Sequence, residues 1–531
     1  MTVANIQDIL QTLPSRYRGP GGAVAVVKNG ELVGELVWGY ADLRSRIPMA
    51  PSTRMPICSI TKQMLCLILK DLERNPTPEM AKRGNVSRQL ADGLGQLVPR
   101  ELIEDTGLRL DHLYNNQSGI RDYWAMSMFW GTQPEGEFTL ADDAKKALGR
   151  TKSLHYQPGT QYSYCNLNFH ILARVVEHVS GTPLGELLAE RLFSPAQMKT
   201  ASLCADNARL PPPCVGYEGD ESFGYIPAIN RTQWSGDAGA VASLEDMVAY
   251  ERYLDQAWAD QQSLYREMAQ DPSFEDGTPA RYGYGLERMK FGQIATIGHG
   301  GAIRGFRLHR IQAPSERLSV VVMLNHQADA AAVAAHILQE ALGLPKQQPL
   351  TCNPSPHWTG SFFDPDAQLV VEVRLGGPGQ IIVTYTGDDE ALNLVDECNA
   401  HSGSTTATIS ADSLVLHRID DNRHIHAKRI IASQPPEDYV GQYHCAEVDS
   451  TFHCSGAGGM LYGSFDGFLG QGPAELMRYL GDDVWVLMCA RGLDAPAPGN
   501  WTVVFQRDDH GQIGSVVFGC WLARKVAFIK Q

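Results

Sequence analysis

The chain has 531 residues, more than one hydrophobic core supports at roughly 150 residues per domain, so several domains are expected. Hydrophobic residues make up 43% and charged residues 20%, a balance that excludes a disordered or low-complexity polymer. Sixty Asp and Glu against 45 Lys and Arg leave a net charge of -15 with no basic tract, which excludes a surface built to track nucleic-acid phosphates.

The segment from Met1 to Thr12 carries Asp8 among scattered apolar residues and lacks the basic and continuous apolar regions of a signal peptide. No 18-residue apolar run follows, so no membrane-spanning helix is expected. The 11 cysteines are odd in number, scattered and free of C-x-x-C pairs, which reads as reduced thiols in a cytoplasmic protein. Between Ala23 and Tyr40 two apolar runs flank Asn29-Gly30, which suits the positive φ angles of a type I′ turn and predicts a hairpin. Met55 to Arg74 reads as one helix, apolar on every side around Met64 to Leu69 and therefore internal. Helical patterns recur at Leu167 to Ser180, Leu244 to Ala257 and Ala330 to Leu342, and Ser319 to Leu324 reads as a buried strand. Strands at both ends with helices between them predict a mixed α/β domain over residues 1–345.

Beyond Gln347, Pro349, Pro354 and Pro356 mark a linker, and short strand-like runs follow without helical periodicity. Trp358-Thr359-Gly360-Ser361-Phe362 and Tyr439-Val440-Gly441-Gln442-Tyr443 repeat an aromatic-x-Gly-x-aromatic pattern, with Pro435-Pro436 before the second copy. Two small antiparallel β barrels or sandwiches are expected, over 350–432 and 437–531, with one larger β domain as the alternative.

The sharpest chemical signal is Ser59-Ile60-Thr61-Lys62 at the start of the internal helix. Positions i and i+3 share a helix face, so the Ser59 hydroxyl and the Lys62 amine can meet as nucleophile and activator. Burial of the amine should lower its pKa, and the helix N-terminus directs N–H groups at a developing oxyanion. Cys58, four positions before Lys62, would by helix spacing alone allow a thiol nucleophile. Further on, Tyr164-Cys165-Asn166 offers a phenol that a neighbouring ammonium could ionise into a proton relay and an amide able to bind a carbonyl. Gly298-His299-Gly300-Gly301 supplies a hydrogen-bonding ring beside glycines that let a ligand approach a strand. No metal or organic cofactor is expected, and His424-x-His426, lacking Cys or acidic company, reads as two exposed strand residues.

Ser59-x-x-Lys62, Tyr164-x-Asn166 and His299-Gly300-Gly301, in that order, resemble the three motifs of the penicillin-recognising serine hydrolases, with the His-x-Gly word similar to the serine β-lactamase-like S12 peptidases. Asn116-Gln117-Ser118-Gly119, Arg121-Asp122-Tyr123-Trp124, Tyr162-Ser163-Tyr164-Cys165-Asn166 and Gly519-Cys520-Trp521-Leu522-Ala523-Arg524 extend this to a whole-chain resemblance to the bacterial D-aminopeptidases. That resemblance implies a β-lactamase-like catalytic domain followed by two eight-stranded antiparallel barrels. It also implies release of an N-terminal D-residue (D-Ala, Gly or D-Ser) from peptides, amides and esters through an acyl-enzyme on Ser59. Lys62 would take the nucleophile's proton, Tyr164 would relay it, and the N–H groups of Ser59 and Ala302, after the Gly300-Gly301 pair, would hold the oxyanion. Asn166 and His299 would orient the substrate. A loop over 490–500 would enter the site, with Asp494 pairing with the substrate's free α-ammonium. The expected partners are a small peptide or amide with a free amino end, possible β-lactam inhibitors and a second copy in a homodimer. Within the same superfamily a D-alanyl-D-alanine carboxypeptidase, an esterase or a class C-like β-lactamase stays open, as does a non-enzymatic penicillin-binding sensor. Arg491 keeps the carboxypeptidase alternative in play.

Overall fold

Asn29 and Gly30 adopt φ angles of +52° and +75°, as a type I′ turn requires, and join the strands Gly21–Lys28 and Glu31–Asp42. In this computed structural model, which describes residues 3–345, 352–385, 387–457, 460–489, 493 and 499–531, that hairpin belongs to an eight-stranded antiparallel sheet. The first strand lies against Leu318–Leu324, with Val24 opposite Val322. Phe306–Ala313, Ile294–Ile303, Leu286–Phe291 and Tyr282–Gly283 continue the sheet to its edge.

Gly21–Lys28 is apolar from Gly21 to Val27 because both of its faces are covered. Val24 and Val26 pack with Ile6, Leu10 and Ile337 of the terminal helices, while Ala23, Ala25 and Val27 turn to the larger core on the other face. That larger core holds the helices Thr61–Arg74 and Asn166–Ser180, whose residues from Thr61 to Leu69 and from Asn166 to Ala173 are all buried. Helix Leu244–Ala259, opened by a Ser243–Asp246 capping box, is tied to the sheet by a fully buried bidentate pair, Arg310 with Glu251, at 2.5 and 2.9 Å.

The chain from Met55 to Arg74 is not one helix. Met55–Pro56 is a short strand, Cys58–Ile60 is a 3₁₀ turn, and the α-helix starts at Thr61. Pro56 has no N–H to give a helix, and Cys58 sits at φ +51°, a left-handed conformation that no right-handed helix contains. Ser59 therefore stands in a tight turn at the mouth of the helix.

The eight strands from Gly360–Asp364 to Arg423–Arg429 close into an antiparallel barrel. Strict alternation fills it: in Thr405–Ile409 every second residue is buried, and Trp358, Phe362, Leu369 and Leu416 share its core. A second barrel runs from Gly441–Cys445 to Ala523–Lys530 and is closed by pairing of Ser450–Ala457 with Met460–Gly467. Both copies of the aromatic repeat stand at the entrance to a barrel's first strand, with Trp358, Phe362, Tyr439 and Tyr443 buried.

Both barrels reach the α/β domain. From the first, Asp420 pairs with Arg281 at 3.0 Å, and the Asp421 carbonyl accepts from Tyr162 N–H at 3.2 Å. From the second, the Leu522 carbonyl accepts from Asp122 N–H at 3.0 Å and that of Trp521 from the Ser163 hydroxyl at 3.1 Å. Phe129 of the α/β domain enters the second barrel's aromatic core, with ring centroids 4.6 Å from Trp501 and 4.9 Å from Phe465.

Candidate active site

Lys62 follows Ser59 by three residues across the junction of the 3₁₀ turn and the helix, and this brings its Nζ to 3.0 Å from Ser59 Oγ. The ammonium donates twice more, to Asn166 Oδ1 at 2.8 Å and to the Asp237 carbonyl at 2.7 Å, so its three hydrogens are all used. Desolvation pulls the Lys62 pKa down to about 8, against the opposing fields of Asp237 and Asp122. Asp122, fully buried and pushed up to about 6 by the same desolvation, accepts from the Asn166 backbone at 2.6 Å and from its Nδ2 at 2.9 Å. A carboxylate only accepts, so this contact fixes the Asn166 amide with its oxygen toward Lys62.

Tyr164 donates its hydroxyl to Ser59 Oγ at 2.6 Å, while Lys62 Nζ lies 4.8 Å from the centre of its ring. Desolvation raises the phenol well above its ordinary value and outweighs the hydrogen bond to Ser59. The phenol thus keeps its proton, which corrects the expectation that the neighbouring ammonium ionises it. His299 is buried, held down to about 3 by desolvation and by Lys62, and hence neutral. Its Nδ1 faces the Gly300 carbonyl at 2.5 Å, so Nδ1 carries the proton and Nε2 accepts from the Tyr282 hydroxyl at 3.0 Å. Gly301 lies on the nucleophile's turn: a Cβ there would sit 2.5 Å from the Ile57 carbonyl and 3.2 Å from Cys58 Cβ.

Cys58 does not compete with Ser59. Its thiol is buried, donates to the Pro56 carbonyl at 3.4 Å and is pushed up to about 12, because burial outweighs the nearby cations.

Ser59, Tyr164, Asn166, His299, Gly300, Gly301 and Ala302 line one cavity of about 540 Å³, to which the second barrel adds Trp521 and Leu522. Lys62 sits behind Ser59, fully buried. Asp494 and Arg491 lie outside the described residues; of that loop, Leu493 is buried and its carbonyl accepts from Arg304 at 2.5 Å. Sequence reasoning missed Asp237, whose carbonyl accepts a hydrogen bond from Lys62 and whose carboxylate accepts from Tyr123 at 2.5 Å. It gave Asp122 no role although the word containing it stood out, and it passed over Glu287, which lines the cavity.

Two family models cover almost the whole chain: a beta-lactamase model matches residues 6–343, and one described as D-aminopeptidase, domain B, matches 351–529. A D-aminopeptidase from Brucella ovis is 42% identical over 98% of this chain and 98% of its own. The chain belongs to the D-aminopeptidase family. Among solved structures, the octameric penicillin-binding protein homologue from Pyrococcus abyssi superposes with a TM-score of 0.54 at 18% identity, over 81% of this chain and all (100%) of its own. The D-amino acid amidase from Ochrobactrum anthropi SV3, complexed with L-phenylalanine, gives 0.51 at 20% identity, over 64% of this chain and 99% of its own. At these identities the two structures speak for the fold alone.

Proposed function

We propose that the protein is a D-stereospecific serine aminopeptidase that works through an acyl-enzyme on Ser59. The observation that carries this is the Ser59 hydroxyl held between the Lys62 amine at 3.0 Å and the Tyr164 hydroxyl at 2.6 Å on the wall of a cavity of about 540 Å³. Stereospecificity and aminopeptidase activity follow the name borne by the full-length relatives.

In the first step Ser59 Oγ attacks the carbonyl carbon of the N-terminal residue while neutral Lys62 accepts its proton. The oxyanion would rest on the Ser59 and Ala302 N–H groups, a reading supported by the close approach of Gly301, the residue before Ala302, to the Ile57–Cys58 turn. Tyr164 then passes its proton to the departing amine nitrogen and is reprotonated from Lys62. Water reverses the sequence: it attacks the ester carbon, its proton goes back through Lys62 and Tyr164, and Ser59 Oγ leaves protonated. Asn166 spends its amide oxygen on Lys62, so it positions the base and offers the substrate only its remaining N–H. His299, with Nδ1 turned to Gly300, contributes neutral polarity and orientation rather than charge.

D-Ala, Gly and D-Ser derivatives are the proposed substrates, with β-lactams as possible acylating inhibitors. A homodimer and a cytoplasmic location complete the reading; that no disulfide links the described cysteines supports the latter. The test is acid-quenched mass spectrometry during turnover of D-alanine methyl ester. An added alanyl group on the peptide holding Ser59, absent from Ser59→Ala, is expected; the group on another residue would overturn the mechanism.

A further inference from the structure

Among the described residues, the charged side chains on the cavity wall are Glu287, Arg307 and Asp329. Arg307 is held by two carbonyls, and Asp329 caps the C-terminal helix of the α/β domain by accepting from Ala332 N–H at 3.0 Å. Glu287 differs from both: among the described residues its carboxylate has neither a hydrogen bond nor an ion pair. It stands on Leu286–Phe291, next to the strand that carries His299 and Gly301, in register with Gly298 on one side and Tyr282 on the other. Gly298 has no side chain to cover it, and a Cβ there would lie 2.4 Å from the Arg310 carbonyl, so the position is closed to anything larger.

We propose that Glu287 is the carboxylate that binds the free α-ammonium of the substrate and so makes the enzyme select unblocked amino ends. The proposal rests on the aminopeptidase reading and adds to it a residue from the catalytic sheet, separate from the barrel loop that carries Asp494. An ammonium entering a desolvated cavity needs an anionic partner there, and a carboxylate without a partner has the same need in reverse. The groups that act on Glu287 agree with this pairing. Asp420 of the first barrel, itself paired with Arg281, repels its charge; Lys62 attracts it; and the phenols of Tyr162, Tyr164 and Tyr282 lie within its field. Desolvation, reinforced by Asp420, lifts the carboxyl to about 7. A bound ammonium would bring that value down and hold the carboxylate ionised.

The experiment compares D-alanine p-nitroanilide with N-acetyl-D-alanine p-nitroanilide in the full-length wild type, Glu287→Gln, Glu287→Asp and Asp494→Asn. Glu287→Gln is expected to raise KM for the free amine about 30-fold, as loss of one desolvated charge partner should, and to leave the acetylated compound unchanged. Glu287→Asp, which keeps the charge, should recover part of that loss. Free-amine kinetics within twofold of wild type in Glu287→Gln would overturn the proposal and leave the aminopeptidase reading intact, most clearly if Asp494→Asn alone lost the preference. Equal losses on both compounds would also overturn it, by showing a structural role. A wild type indifferent to acetylation would sink both readings together.

Discussion

At the scale of the residue, the proposed chemistry depends on one desolvated amine. Lys62 is buried with two carboxylates nearby, yet desolvation wins and brings it to about 8. A base must be neutral to accept the Ser59 proton, so the working fraction falls tenfold for each pH unit below that value. The logarithm of kcat for an N-blocked D-alanine ester is expected to climb with unit slope toward pH 8 and flatten above it. A flat profile between pH 6 and 9, measured by stopped-flow hydrolysis, would remove Lys62 as the base. Tyr164 titrates far above this range and adds no limb of its own. The Ser59–Lys62 pair was legible in the sequence because three residues of separation impose proximity on any helical path. Asp122 and Asp237 were not, because each meets the site through a residue far along the chain: Asp122 holds Asn166, and the Asp237 carbonyl accepts directly from Lys62.

The site is built at the scale of elements where a strand meets a turn. Ile294–Ile303 passes over Cys58–Ile60, and Gly301 makes the approach possible. A valine there would push its Cβ onto the Ile57 carbonyl at 2.5 Å, so the strand or the turn must give way. Gly301→Val is expected to cut kcat at least about 100-fold, as displacing groups near the reacting atoms by an ångström does, with the far-UV circular dichroism unchanged. Retention of wild-type kcat would show that this contact does not place the oxyanion donors. Turn and repeat signals made the Asn29-Gly30 hairpin and the two aromatic-x-Gly-x-aromatic barrel entrances readable, since each rests on local backbone chemistry. The beginning of the catalytic helix was misread because nothing in the identity of Cys58 announces a φ of +51°; the surrounding fold imposes it. Glu287 was hidden for a related reason: a single acid in a strand looks solvated until the neighbouring sheet and barrel enclose it.

At the scale of the whole molecule, the second barrel forms part of the wall of the candidate site. Trp521 and Leu522 close the cavity, and Phe129 crosses into the second barrel, where Phe465, Trp501, Phe518 and Phe528 surround it within 5.7 Å. Phe129→Ala should therefore cost about 3–5 kcal/mol and lower the thermal midpoint of the α/β domain and the second barrel together. Two separated transitions in calorimetry, with only the barrel shifted, would show that the two cores are independent.

Ser59, with Lys62 and Tyr164, is proposed to transfer D-aminoacyl groups from substrates with a free amino end. The most direct test is the ratio of kcat/KM for D-alanine and L-alanine p-nitroanilides, measured side by side in the wild type and in Ser59→Ala. A strong preference for the D-compound that vanishes with all turnover in the variant is the predicted result. Turnover that survives loss of the Ser59 hydroxyl, or equal rates for the two enantiomers, would contradict it.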